Sequence, residues 1–146
     1  MSDEAHFRHL EAMYRAAPIN RFFESDIEIG HGRARIEMAV RPEHFHTAGA
    51  AHGAAYFKLL DDAGFYAAAS LVTDVFMLTT GFNIHLTQPI SGGRMIAEGR
   101  WLHGHRRVFL AEAILYNDAG DEIARGSGNF MRSRIPLRDI AGYQQP

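Results

Sequence analysis

The chain has 146 residues, 47% of them apolar and 22% charged, the size and mix of one globular domain. Fifteen basic against seventeen acidic residues leave a net charge of −2, which provides no field to draw nucleic acid or an anionic membrane surface. With no cysteine there is no disulfide framework, thiolate metal site or cysteine nucleophile, and a cytoplasmic protein is expected.

The opening Met1-Ser2-Asp3-Glu4 lacks a basic segment followed by an apolar run, so no targeting signal is expected. The uncharged stretch Ala63 to Thr73 is far shorter than the roughly 20 residues that span a bilayer. No linker, repeat or low-complexity tract divides the chain, and residues 1–146 are read as a single domain.

A helix is expected over 1–18, with Ser2 as its cap and Phe7, Leu10, Met13, Tyr14 and Ala17 at helical spacing. Pro18 ends it, because the residue before proline is pushed out of the α region. Alternation then predicts strands over Phe22–Ile29 and Arg33–Val40, joined by a hairpin turn at Gly30-His31-Gly32. Residues 44–53 read as an irregular loop. A long Ala-rich helix follows over 54–71, so poor in polar surface that it must be buried. Four more strands are predicted: Val75–Leu86, Arg94–Leu102, Arg107–Asn117 and Glu122–Arg134. Gly126-Ser127-Gly128 within the last one reads as a bulge or bend. Strands grouped this way imply an α+β fold, a largely antiparallel curved sheet wrapped around the one apolar helix, with the N-terminal helix beside it.

Chemistry concentrates where the buried helix begins. The first amides of a helix have no internal partner and sit at the positive end of its dipole. Gly53 has no side chain to block a ligand oxygen from its N–H, the arrangement an oxyanion site requires; it also fits a plain turn glycine. Asp61 and Asp62 lie inside the apolar helix, where an unpaired carboxylate is costly. At least one must be hydrogen-bonded or hold its proton more tightly, as a general base often does; a polar stripe of Lys58, Asp61 and Asp62 is the bland alternative.

The pairs His44-x-His46 and His103-x-His105 invite a metal, but no carboxylate follows the first at close spacing and there is no His-Glu-x-x-His, so no metal site is expected. Arg106 and Arg107 fit an anion-binding pair or an edge-strand defence.

The run Gly49-Ala50-Ala51-His52-Gly53, followed by Leu59-Leu60-Asp61, resembles the signature of hotdog-fold acyl-CoA thioesterases, and the PaaI-like branch most closely. The resemblance continues through Asn83-Ile84-His85-Leu86-Thr87-Gln88-Pro89 and Gly104-His105-Arg106-Arg107, and covers roughly residues 20–132. It implies a hotdog fold and hydrolysis of an acyl-CoA thioester without a cofactor. In that reading Gly53 N–H polarises the carbonyl, and Asp61 activates water or attacks. His52 orients the carbonyl or holds the loop, and Thr79 orients water near the acid. Gly49 and Ala54 line the substrate site, and Arg106 and Arg107 meet the coenzyme A phosphates, with Arg94, Arg132 and Arg134 as further candidates. It also implies a homodimer or homotetramer whose sites lie between subunits.

Two positions depart from the pattern: His46 stands where the family has Asn, and Ala54 where it has a second Gly. His46 can share the base role, its reference pKa being about 6.5. Two other functions stay open. A non-catalytic hotdog protein binding acyl-CoA or a small ligand is one. A 3-hydroxyacyl thioester dehydratase is the other, although Lys58 occupies the helix position where that class needs an acid.

Overall fold

Ser2 accepts a hydrogen bond from the Ala5 amide at 3.2 Å and caps the first helix in the computed structural model, which describes residues 2–144. Helix α1 runs Asp3–Ala16 and buries Phe7, Leu10, Met13 and Tyr14. Ala17 turns extended at φ −64° and ψ 127°, as the residue before Pro18 must. Met1, at the start of the predicted helix, and Gln145 and Pro146, at the end of the predicted domain, lie outside the described residues.

The strand expected from Phe22 is instead preceded by a second short helix, α2, Ile19–Phe23. Pro18 is itself helical at φ −54° and ψ −35°, so it opens a new turn after closing the old one. The Asn20 side-chain amide donates to Tyr14 O at 2.6 Å and ties α2 to the end of α1. Glu24, left-handed at φ 49°, stops the helix, and alternation begins only after it. Strands β1 (Ser25–Gly30) and β2 (Arg33–Ala39) then pair antiparallel about a two-residue turn.

A short 3-10 turn, Pro42–His44, leads into the loop, and α3 follows over Gly53–Ala69 with His52 as its N-cap. The remaining strands are β3 (Val75–Leu86), β4 (Arg94–His103), β5 (Val108–Tyr116) and β6 (Glu122–Pro136), each within two residues of its predicted bounds. All six form one antiparallel sheet in the order β1-β2-β4-β5-β6-β3. The sheet curves around α3, whose Leu59, Leu60, Ala63, Ala67 and Ala68 are fully buried against it. Contact is closest at Gly99 of β4, where a Cβ would stand 2.1 Å from the Ala63 carbonyl oxygen. Only glycine lets the helix backbone lie that near the strand.

The expected bulge at Gly126-Ser127-Gly128 is absent. All three residues stay in register with both neighbours, β3 and β5. The glycines instead make room for Phe82, whose ring carbons would lie 2.6 Å from a Cβ at Gly126 and 2.2 Å from one at Gly128. The register of β3 with β6 slips elsewhere, between Thr79 and Gly81.

Candidate functional site

The loop into α3 is folded by its own backbone. Phe45 and Ala51 form an isolated antiparallel bridge, and His52 N donates to His44 O at 2.8 Å. Ala51 N donates to Ile90 O at 2.8 Å, and Tyr56 donates its hydroxyl to Gln88 O at 2.7 Å, so the helix start is moored to the segment after β3. His46 closes the tip: its Nδ1 accepts from Ala48 N at 3.0 Å and its carbonyl from Gly49 N at 3.1 Å. An asparagine side chain can make the same local turn through its amide oxygen. Gly49 sits at φ +83°, the conformation the turn needs.

At the helix start, His52 Nδ1 accepts from Ala54 N at 2.8 Å. His52 therefore holds the cap, and the Ala54 amide is spent on it. The Gly53 amide has no partner among the described residues. It is the first helical residue, so its N–H lies at the positive end of α3, free to receive an anionic oxygen.

Asp61 lies two turns further on. Thr79 of β3 donates its hydroxyl to Asp61 Oδ1 at 2.9 Å. The register slip that follows Thr79 is of the kind that re-aims side chains beside active sites. Burial drives the Asp61 carboxyl up to about 6; the Thr79 bond opposes this, and neighbouring Asp62 adds to it. Asp62 is engaged differently, with Lys58 in an ion pair. One turn before Asp61, Phe57 is 40% exposed and stands edge-on to Phe82 at 5.8 Å between centroids, while Leu86, 45% exposed, lies at the helix start beside Gly53.

The predicted set thus divides. Asp61 and Thr79 meet; His52, His46 and Gly49 shape the loop; Gly53 offers its amide. Gly53 and Asp61 stand eight residues apart on one helix, about 12 Å along its axis, too far to act on one carbonyl. Arg106 and Arg107 are exposed on the β4–β5 hairpin, with no side-chain partner among the described residues, whereas Arg94 pairs with Glu37 and Arg132 with Asp74. The two histidine pairs are spent separately: His44 stacks on Phe23 and accepts from Arg41 N, and His105 lies against Trp101. A concavity of about 1050 Å³ lies on the outer face of the sheet between Arg8, Glu28, Arg35, Glu98 and Trp101, away from Asp61. Sequence reasoning missed Phe82 and Leu86 as neighbours of the site; the spaced glycines of β6 were the signal for the first.

A family model described as the thioesterase superfamily matches residues 48–124, from the loop through most of the sheet. The chain belongs to the thioesterase superfamily. Among the curated proteins no sequence matches. The fold is the hotdog fold of solved thioesterase-superfamily relatives. Escherichia coli PaaI, from the phenylacetic acid degradation operon, superposes with a TM-score of 0.83 at 20% identity, over 92% of this chain and 97% of that one. A putative esterase from Mycobacterium tuberculosis gives 0.76 at 22% identity, over 80% of this chain and 97% of that one. A point mutant of PaaI from Thermus thermophilus gives 0.73 at 21% identity, over 80% of this chain and all of that one, 100%. Among the described residues no helix of this thioesterase-superfamily chain is long and apolar enough to cross a membrane.

Proposed function

We propose that the protein hydrolyses an acyl-CoA thioester, with Asp61 as general base and the Gly53 amide as oxyanion donor. The observation that carries this reading is Asp61 itself. It is a carboxylate in an apolar helix, held by one hydroxyl and raised to about 6, so that it is ionised at neutral pH yet basic enough to take a proton from water.

Water bound by Asp61 and Thr79 attacks the thioester carbonyl carbon and passes its proton to Asp61. The carbonyl oxygen gains the negative charge and is met by Gly53 N–H. Collapse of that intermediate breaks the C–S bond. The coenzyme A sulfur leaves and receives the proton from Asp61, and the acyl group departs as the free acid. Every atom comes from water and substrate, so the reaction as written needs no cofactor. Arg106 and Arg107, exposed on the β4–β5 hairpin, are cations that can meet the coenzyme A phosphates, and exposed Arg134 is a further candidate.

The separation of Gly53 from Asp61 supports a site built from two chains. One protomer supplies the carboxylate and its partner the amide, in a homodimer or a tetramer built from it. Leu78 and Leu86, 46% and 45% exposed, lie on edge strand β3, the open edge of the sheet that such a dimer would cover. A chain without cysteine is at home in the cytoplasm.

Thiol release from a panel of acyl-CoAs, aromatic and short to long aliphatic, tests the reading with Asp61→Asn run beside the parent. Release that depends on Asp61 supports it. No release from any substrate, with the oligomer intact, replaces it with an acyl-CoA-binding protein.

A further inference from the structure

Lys58 stands three residues before Asp61 and four before Asp62, and both spacings bring side chains together on a helix. Of the two carboxylates, the ammonium pairs with Asp62. Its remaining contacts pull the same way. Asn20 Oδ1 of α2 accepts from Lys58 Nζ at 2.7 Å, and the ammonium lies 5.0 Å from the Tyr14 ring centroid and 5.5 Å from that of Phe23. Asn20 is fixed in turn by its bond to Tyr14 O, and Tyr14 by a 2.5 Å hydroxyl contact with Ser25 of β1. Lys58 is buried, and only a fifth of the Asp62 side chain is exposed. The reaction described above uses neither residue.

We propose that Asp62 is a positioning residue: it stands about 100° around α3 from Asp61, pairs with the Lys58 ammonium there and so keeps that cation from pairing with the base. This rests on Asp61 as the base. A carboxylate locked to an ammonium gives up its proton too readily to serve as a base near neutrality, and an opposite charge within about 4–6 Å lowers a carboxyl by roughly 1–3 units. Few charged groups bear on the arrangement. α3 contributes Lys58, Asp61, Asp62 and the Tyr66 phenol; α1 contributes the Tyr14 phenol, on which Asp26 of β1 also acts. Both phenols are kept neutral by burial. The facing residues of α2 and β3, Asn20 and Thr79, carry no charge. Asp62 raises Asp61 and Lys58 lowers it, so the ion pair presents the base with two nearly opposed effects.

Removing only the negative partner upsets that balance. In Asp62→Asn the acid limb of the rate–pH profile moves down by about one unit, and the plateau rate falls as the base weakens. In the double variant Lys58→Met with Asp62→Asn, both charges go and the limb returns close to the parent position. A merely structural role for Asp62 lowers the fraction of folded protein in both variants and leaves the limb where it was. The carboxyl carbon shift of Asp61, followed by NMR titration, reports the same change without reference to turnover, so failure of the proposal is told apart from failure of Asp61 as the base, which Asp61→Asn reports. Should Asp62→Asn fail to fold, Asp62→Ser makes the same charge change with a smaller side chain. An Asp61 titration that stays at the parent position when Asp62 is neutralised overturns the proposal.

Discussion

Thr79 and Asp61 are joined by one hydrogen bond of 2.9 Å between the edge strand of the sheet and the helix it wraps. The bond stabilises the ionised carboxylate against burial, so it both orients the base and limits how far its proton affinity rises. Thr79→Val removes the hydroxyl at nearly constant shape. The acid limb of the rate–pH profile then moves upward from about 6, and the rate at fixed neutral pH falls roughly tenfold, in line with a hydrogen bond to a charged group. Thr79→Ser keeps the limb in place. A limb unmoved by valine would remove Thr79 from the site.

Asp61→Asn separates catalysis from stability. Activity falls by about 10²–10⁴-fold as the base is lost. Stability changes the other way. The folded carboxyl is raised from 3.8 to about 6, so between those values the folded state binds more protons than the unfolded chain, and stability declines as pH rises through that window. At pH 7 the ionised Asp61 therefore costs stability. The amide variant is expected to melt a few degrees higher there, on the order of 1 kcal/mol after allowing for its partial exposure, with no gain below pH 4. Melting curves of the two proteins at pH 4 and pH 7 check the sign.

Much of this architecture is legible in residue spacing, because alternation along β2 to β6 and the apolar run of α3 are local signals. The short helix α2 is not. Pro18 both ends one helix and starts the next, and the turn is held by contacts that spacing does not reveal, the bond from Asn20 to Tyr14 O and that from Lys58 to Asn20 among them. The glycines of β6 were visible as a break in a strand, but their use depends on Phe82, more than forty residues away, whose ring needs the space. The choice of Lys58 between two adjacent carboxylates is equally hidden. Both pairings satisfy helical spacing, and the choice is made by Asn20 and Tyr14, residues from helices that join α3 only after folding.

Gly53→Pro isolates the amide from the rest of the loop. Proline is favoured at the first helical position, where its missing N–H leaves no helical bond unmade. His52 is already extended at φ −64° and ψ 148°, as a residue before proline must be, and a Cβ at Gly53 would meet only Leu86 Cδ2 at 3.7 Å. The helix and the melting temperature should therefore be retained. If this amide receives the oxyanion, the rate falls by about 10²–10³-fold. A proline variant as active as the parent would move the oxyanion site elsewhere.

Those two lesions also test whether a site is shared between chains. In a homodimer of Gly53→Pro protomers every site lacks its amide, and in one of Asp61→Asn protomers every site lacks its base. In a mixed dimer one site joins the intact Asp61 of the first chain to the intact Gly53 of the second, while the other site carries both lesions. Random reassortment makes half of the dimers mixed, each with one of two sites whole, so unfolding and refolding an equal mixture should recover about a quarter of the parent activity. If base and amide instead acted within one chain, each protomer would carry one lesion in its own site and no mixture would recover anything. The roughly 12 Å that separates Gly53 from Asp61 along α3 predicts recovery. Leu78→Asp, which puts a charge on the apolar edge of β3, should abolish it by keeping the chains apart.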